Sequence, residues 1–136
     1  MTGEIAAYIT RNGSTMTKLQ ELDPAADDSR IYYPRLEEQG SYPAIEFNDF
    51  GDGIDCKDGL HGRLYTTTAI VWAKTMSQIN DITEALIEDL HHYRGTYSST
   101  YKIVTSKMTL IGPIIDEPEK KIIGRPIDFE MQLEKI

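Results

Sequence analysis

The chain has 136 residues, a length that fits one domain and is short for two. Its 14 basic and 22 acidic residues leave a net charge of −8, which argues against a domain that grips nucleic acid through clustered lysines and arginines. One cysteine cannot form an internal disulfide, and neither a leader segment nor a run of about 20 apolar residues is present, so we expect a soluble protein made in the cytoplasm.

Two short helices are predicted at the start of the chain. The first covers residues 2–11. The second has Ser14 or Thr15 as its N-cap and is stopped by Asp23 and Pro24. Their apolar side chains recur at helical spacing, with Ile5, Tyr8 and Ile9 in the first and Met16, Leu19 and Leu22 in the second.

Two extended segments come next. The first begins at Ile31, and Pro34 restricts it to the edge of a sheet. Residues 42–47 alternate, with Ile45 and Phe47 on one face, and predict a strand of about five residues.

Residues 48–62 predict a long exposed loop. They contain four glycines and four aspartates, a composition that is typical of turns. A long loop in a compact domain is usually functional or disordered. An EF-hand starting at Asn48 would place Phe50 and Gly59 at ligand positions, so a solvated loop is favoured over a calcium site.

The centre of the chain predicts a strand followed by a long helix. Residues 64–72 are rich in β-branched and aromatic side chains and have no wholly polar face, which indicates a central strand covered by helix on one face and partly covered on the other. Thr75 and Gln78 fit a capping box, with Ser77 as a rival cap, and Gly95 fits the left-handed position after the last turn. The apolar stripe of this helix consists of Ile79, Ile82, Leu86, Leu90 and Tyr93.

The last part of the chain predicts strands around a charged turn. One strand alternates and places Val104, Ser106, Met108 and Leu110 on one face. Gly112 and Pro113 bend it, Ile114 and Ile115 continue it, and residues 116–120 form a charged hairpin turn. The final strand points Ile127, Phe129, Met131 and Leu133 one way and Asp128, Glu130, Gln132 and Glu134 the other.

These elements together predict an α+β fold in a single domain over residues 1–136. A mainly antiparallel sheet of four or five strands carries one long helix and one or two short N-terminal helices on one face.

The sequence offers no motif for catalysis or for a cofactor. No nucleophile elbow, phosphate-binding loop or zinc-protease helix is present. Cys56, His61 and the adjacent His91 and His92 lack the spacing of a zinc site. We therefore expect neither an enzyme nor a metal site, but an interaction protein with two contact regions. The contact residues are Phe50, Asp52 and Asp55 in the loop and Asp116, Glu117, Glu119 and Lys120 in the hairpin.

The order of these landmarks resembles the tail-completion or tail-terminator proteins of long-tailed bacteriophages, also called tail-to-head joining proteins. A short N-terminal helix leads to Arg30-Ile31-Tyr32, and a Gly- and Asp-rich loop separates two strands ahead of the long helix. The motifs that carry the resemblance are Tyr42-Pro43-Ala44-Ile45, which enters one strand, and Ile70-Val71-Trp72-Ala73, which ends the next.

The resemblance implies a structural protein of the virion, without catalytic residues or cofactor. Such proteins cap the tail tube, typically as a hexameric ring on the major tail tube protein, end tail polymerisation, and present a surface to the head connector. The resemblance also implies no membrane contact, and a lumen through which genomic DNA passes without specific binding. The alternatives are a head-closure or neck protein, a tube-end protein of a contractile injection system, and, in another class, a small cytoplasmic ligand-binding domain.

Overall fold

The computed structural model describes residues 13–27, 30–32, 41–53, 62–91, 93–96 and 101–135, and the helix predicted over residues 2–11 lies outside them. Two helices are described, α1 (Ser14–Leu22) and α2 (Met76–Leu90). The strands are β1 (Ile31–Tyr32), β2 (Ala44–Gly53), β3 (Gly62–Ala73), β4 (Gly95–Thr96), β5 (Tyr101–Ile111), β6 (Ile115–Glu117) and β7 (Ile122–Lys135). The α+β class predicted from the sequence is confirmed.

The described strands form one sheet in the order β1-β2-β3-β7-β5-β4, and β6 pairs with β7 beyond the end of β5. Within this sheet β1 and β2 run parallel and the other neighbours run antiparallel. The centre is the ladder between β3 and β7, which runs from the Gly62–Glu134 pair to the Ala73–Ile123 pair. The mainly antiparallel sheet is therefore confirmed, as is the central position of the strand predicted at residues 64–72.

The core lies between one face of the sheet and the two helices. All four inward side chains predicted for β7 are fully buried, and so are four positions of the predicted stripe on α2. Each such side chain is worth about 1.5–3 kcal/mol of transfer free energy on burial, so this face dominates stability. The buried residues are Ile127, Phe129, Met131 and Leu133 on β7 and Ile79, Ile82, Leu86 and Leu90 on α2.

The opposite face of the sheet is partly covered, as its mixed composition predicts. Trp72 is buried there and lies across Gly124, where an added Cβ would come within 2.7 Å of the indole ring. Its Nε1 donates a hydrogen bond to Glu46 Oε1 at 3.0 Å. Farther along β3, the Thr68 hydroxyl donates to Asp128 Oδ1 at 2.7 Å. This face is therefore covered by the Trp72 ring and by hydrogen bonds between polar side chains.

Helix α2 begins as predicted and ends earlier. Thr75 is the N-cap, and its hydroxyl oxygen accepts the Gln78 N–H at 3.3 Å, so Ser77 is not the cap. The helix ends at Leu90, and His91 continues in an extended conformation. The prediction of Gly95 as a left-handed cap is therefore wrong, because Gly95 already belongs to β4.

Strand β5 supplies the contacts that replace a glycine cap at the end of α2. The Ser106 hydroxyl donates to the Leu90 carbonyl at 2.7 Å, and the Met108 N–H donates to Nδ1 of His91 at 3.2 Å. The Leu90 carbonyl also accepts the Tyr93 N–H at 3.1 Å, so a backbone turn and a side chain of the sheet together satisfy this helix-end acceptor.

The N-terminus of α1 is capped by a side chain from the other helix. The predicted caps, Ser14 and Thr15, lie inside the helix, and the N-cap residue Gly13 has no side chain to contribute. Asp89 accepts instead, from the Ser14 N–H at 2.7 Å and the Thr15 N–H at 2.8 Å. This buried carboxylate satisfies two helix-end donors and joins α1 to α2.

Strand β2 is twice as long as predicted. It has ten residues, and its pairing with β3 continues through Asn48 to Gly53, with an irregularity between Asp49 and Gly51. The predicted loop over residues 48–62 is thus wrong for residues 48–53 and for Gly62; residues 54–61 lie outside the described part. Backbone ladders need no particular side chain, and a bulge absorbs residues that propensity assigns to turns.

Strand β5 carries two irregularities that change which face its residues occupy. The register with β7 shifts between Ile103 and Thr105 and again between Met108 and Leu110. Because an extra residue reverses the alternation, Leu110 pairs with Asp128 on the outer face instead of pointing into the core. The predicted inward position of Leu110 is therefore wrong, and Ile103 is buried in the core instead.

A buried arginine joins the end of α1 to the start of β2. Arg30 donates from Nη2 to Asp23 Oδ2 at 2.5 Å and from Nη1 to the Pro43 carbonyl at 3.2 Å. The pKa of Asp23 lies below its ordinary value of 3.8, chiefly because of the hydrogen bond from Arg30 and next because of the hydrogen bond from the Ala25 N–H.

Neither α1 nor α2, the helices of the described part, is long and apolar enough to cross a bilayer.

Replacing Asp89 tests the cap between the helices. Asp89→Ala leaves two helix-end N–H groups without their acceptor, so we expect a loss of about 1–3 kcal/mol in the free energy of unfolding. Asp89→Asn keeps one acceptor oxygen and should lose less. Urea unfolding followed by far-UV circular dichroism measures both, with the exposed neighbour Glu88→Ala as the control. Equal losses at residues 88 and 89 would contradict the assignment.

The contact between Asp23 and Arg30 predicts a pH dependence of stability. Because folding lowers the pKa of Asp23, the contact adds to the free energy of unfolding at pH values above the ordinary pKa of 3.8. This contribution is lost as the pH falls through the lower pKa of the folded state. We expect wild type to be more stable than Asp23→Asn at neutral pH, with a gap that narrows toward about pH 3. Urea titrations across this range measure the gap. Ser77→Ala, a change at an exposed position on α2 that removes no titratable group, should show no such narrowing.

Candidate interaction surfaces

The charged hairpin, defined here as residues 116–121, extends from one end of the sheet. Asp116 and Glu117 belong to β6 and pair with Ile123 and Ile122 of β7. The Lys120 N–H donates to the Glu117 carbonyl at 3.1 Å, and Lys121 closes the turn with a left-handed φ of 57°. All its side chains are exposed. The predicted hairpin is confirmed.

An apolar ridge lies where the chain bends from β5 into β6. Gly112 donates its N–H to the Pro126 carbonyl at 2.8 Å, and this contact holds the bend against β7. Leu110 is 57% exposed, and Ile111 and Ile114 are each 39% exposed. We define the ridge as Leu110, Ile111, Pro113 and Ile114. Leu110 lies opposite Asp128 on the outer face and Ile111 opposite Ile127 on the inner face, so exposed apolar side chains border both faces at this bend, which is typical of a contact surface. The alternation predicted for β5 placed Leu110 in the core and therefore did not indicate the ridge.

A basic groove lies at the far edge of the sheet. It is open, has a volume of about 480 Å³, and is lined by Arg94, Gly95, Lys102, Ile103 and Val104. Gly95 pairs with Ile103, and Thr96 pairs with Lys102, so the short β4 ladder brings the two cations together. The sequence alone does not show Arg94 and Lys102 as a basic pair, because they are separated along the chain.

The two predicted contact regions do not come together. In the backbone pairing, Asp52 lies opposite Tyr65, whereas Asp116 lies opposite Ile123, whose partner on β3 is Ala73. The two regions therefore occupy opposite ends of the sheet. Phe50 and Asp52 belong to β2 and not to a loop, and Asp55 lies outside the described residues.

Among the described residues, no group of three or more His, Cys, Asp or Glu side chains has the arrangement needed to hold a metal ion. Of the soft ligands considered from the sequence, His91 lies at the end of α2 and accepts the Met108 N–H. Cys56, His61 and His92 lie outside the described part.

Comparison with known proteins finds a shared fold and no shared sequence family. No family model matches the chain, and no curated protein matches it. One similar chain comes from a solved structure described as the virion of a native gene transfer agent particle. The two chains align with a TM-score of 0.59 and 10% sequence identity, over 93% of this chain and 98% of that chain. At this identity the likeness establishes the fold.

The left-handed residue of the charged hairpin gives a stability prediction. A left-handed conformation costs a side-chain-bearing residue about 1–2 kcal/mol, and glycine removes this cost while adding about 0.5–1 kcal/mol of unfolded-state entropy. We expect Lys121→Gly to be neutral or stabilising and the matched Lys120→Gly to be destabilising. Thermal unfolding of both variants measures the difference. A larger loss at residue 121 than at residue 120 would contradict the backbone assignment.

Proposed function

We propose that this chain is a structural protein of a phage-like virion. The observation that carries the proposal is the extent of the likeness to the gene transfer agent chain, which covers 98% of that chain and 93% of this one. The match therefore involves the complete arrangement of sheet and helices and not a common local motif. The role is structural and not catalytic.

Within the virion, we propose that the protein completes the tail. It caps the tail tube, ends polymerisation of the major tail tube protein, and joins the tail to the head connector or head-closure protein. The support is the order of the sequence landmarks, two of which, at residues 42–45 and 70–73, lie where β2 begins and where β3 ends. The protein occupies the head–tail junction after passing through the host cytoplasm.

The distribution of contact surfaces supports assembly into a ring, with six copies as the proposed number. A closed ring joins copies through two different patches on each subunit, and stacking on a tube needs further contacts above and below. The charged hairpin, the apolar ridge and the basic groove are separate surfaces on one small sheet. Such a subunit can contact several neighbours at once.

The charge of the chain suits a ring through which DNA passes. The net charge of −8 repels the phosphate backbone when acidic side chains face the lumen, so the genome moves through without binding. No membrane contact is part of this role.

Electron microscopy of particles made without the protein tests the proposal. A stop codon early in the gene should give overlong or ragged tails that are not attached to full heads, because polymerisation then has no terminator. Wild-type protein and Glu84→Gln, an exposed change on α2 outside the three surfaces, should restore normal particles. Tails of normal length beside heads that leak DNA would assign the protein to head closure. Normal particles would contradict a virion role.

A further inference from the structure

The charged hairpin presents carboxylates for which the described part of the chain supplies no ion-pair partner. Asp116 and Glu117 lie on β6, and Glu119 follows in the turn ahead of Lys120 and Lys121. No described cation lies within ion-pair distance of these three carboxylates. In addition, β6 has β7 on one side and no described strand on the other. The hairpin therefore offers acidic side chains along a free strand edge.

The basic groove presents the complementary charge. Arg94 and Lys102 are exposed, and neither has a described carboxylate within ion-pair distance, although the chain carries a surplus of acidic residues. Between them, Ile103 is almost fully buried and Val104 is half-buried, so the floor of the groove is apolar. A volume of about 480 Å³ leaves space for the side chains of a narrow turn.

One chain cannot bring its own hairpin to its own groove. The groove lies at Ile103, opposite Leu133 of β7, and the turn follows Glu117, opposite Ile122, so they lie at opposite ends of the β5–β6 arm. About eleven extended residues of β7 at ~3.3 Å each separate them by roughly 36 Å. A contact between these surfaces therefore joins two copies and uses a different patch on each, which is the head-to-tail arrangement that closes into rings or extends into filaments.

We propose that the charged hairpin of one copy docks in the basic groove of the next copy. Glu119 in the turn and one of the two β6 carboxylates then face Arg94 and Lys102, since Asp116 and Glu117 point to opposite faces of the strand, while Pro118 lies over the apolar floor. This inference rests on the proposed virion function, since it names the contact by which copies of the ring join. The occupant of the groove is a second copy of this chain, because the hairpin is an exposed projection whose three carboxylates outnumber its two lysines and complement the charge of Arg94 and Lys102.

Disulfide trapping in the purified protein tests the docking. In a Cys56→Ser background, Glu119→Cys and Val104→Cys place one thiol on the hairpin and one in the groove. Mild oxidation should give a ladder of covalent multimers on non-reducing gels, and high salt should reduce its yield because the contact is ionic. The control pairs Glu119→Cys with Glu21→Cys, an exposed position on α1, and should give at least tenfold less multimer.

Charge exchange separates docking from random collision. Adding Arg94→Glu and Lys102→Glu to the two-cysteine protein should abolish the covalent multimers. Adding Asp116→Lys and Glu117→Lys to that charge-reversed protein should restore them. The proposal is overturned by the absence of a ladder, by a ladder that charge reversal does not change, or by dimers of Glu119→Cys alone, which would indicate hairpin-to-hairpin contact.

The virion role and the hairpin docking can be contradicted independently of each other. Trapping is read on purified protein, and the tail phenotype is read on particles. If the Arg94→Glu and Lys102→Glu variant assembles normal tails, the virion role stands and the docking is wrong. If the ladder forms as expected while particles made without the protein are normal, the docking stands and the virion role is wrong.

Discussion

The ladder between β3 and β7 is the constraint on which the rest of the structure depends. It joins two long segments about sixty residues apart in sequence, and it stands at the centre of the sheet. The same pairing sets two faces at once, because side chains alternate along both strands. One face buries Ile127, Phe129 and Met131 beneath α2, and the other carries Trp72 over Gly124. Helix α1 then attaches through Asp89 and not through the sheet alone.

The surfaces available to partners depend on the strands that pair with the edge of β7 opposite β3. Strand β5 covers most of that edge, the chain bends at Gly112, and β6 covers the rest. The bend exposes the apolar ridge, the end of the arm becomes the charged hairpin, and the start of the arm borders the basic groove. The β5–β6 arm thus borders all three surfaces, with the carboxylates of the charged hairpin at one end and Lys102 at the other.

Much of this could be predicted from sequence where the pattern was local and regular. The stripe on α2, the cap at Thr75 and the alternation of β7 all depend on neighbours within a few residues, and all are confirmed. The hairpin was predicted for the same reason. The errors fall where a partner strand overrides local preference. Strand β2 continues through residues rich in glycine and aspartate, and Leu110 turns outward because a bulge shifts the register of β5.

The sequence by itself determined the fold class, the core face and the charged hairpin, because periodicity and turn residues report on the chain's own backbone within a few positions. Tertiary structure alone decided that Asp89 caps a helix some seventy residues away, that Ser106 and His91 finish α2, and that Arg94 and Lys102 share one groove. The physical reason is that these contacts join groups distant along the chain. Their partners are chosen by packing and register, which no local pattern records.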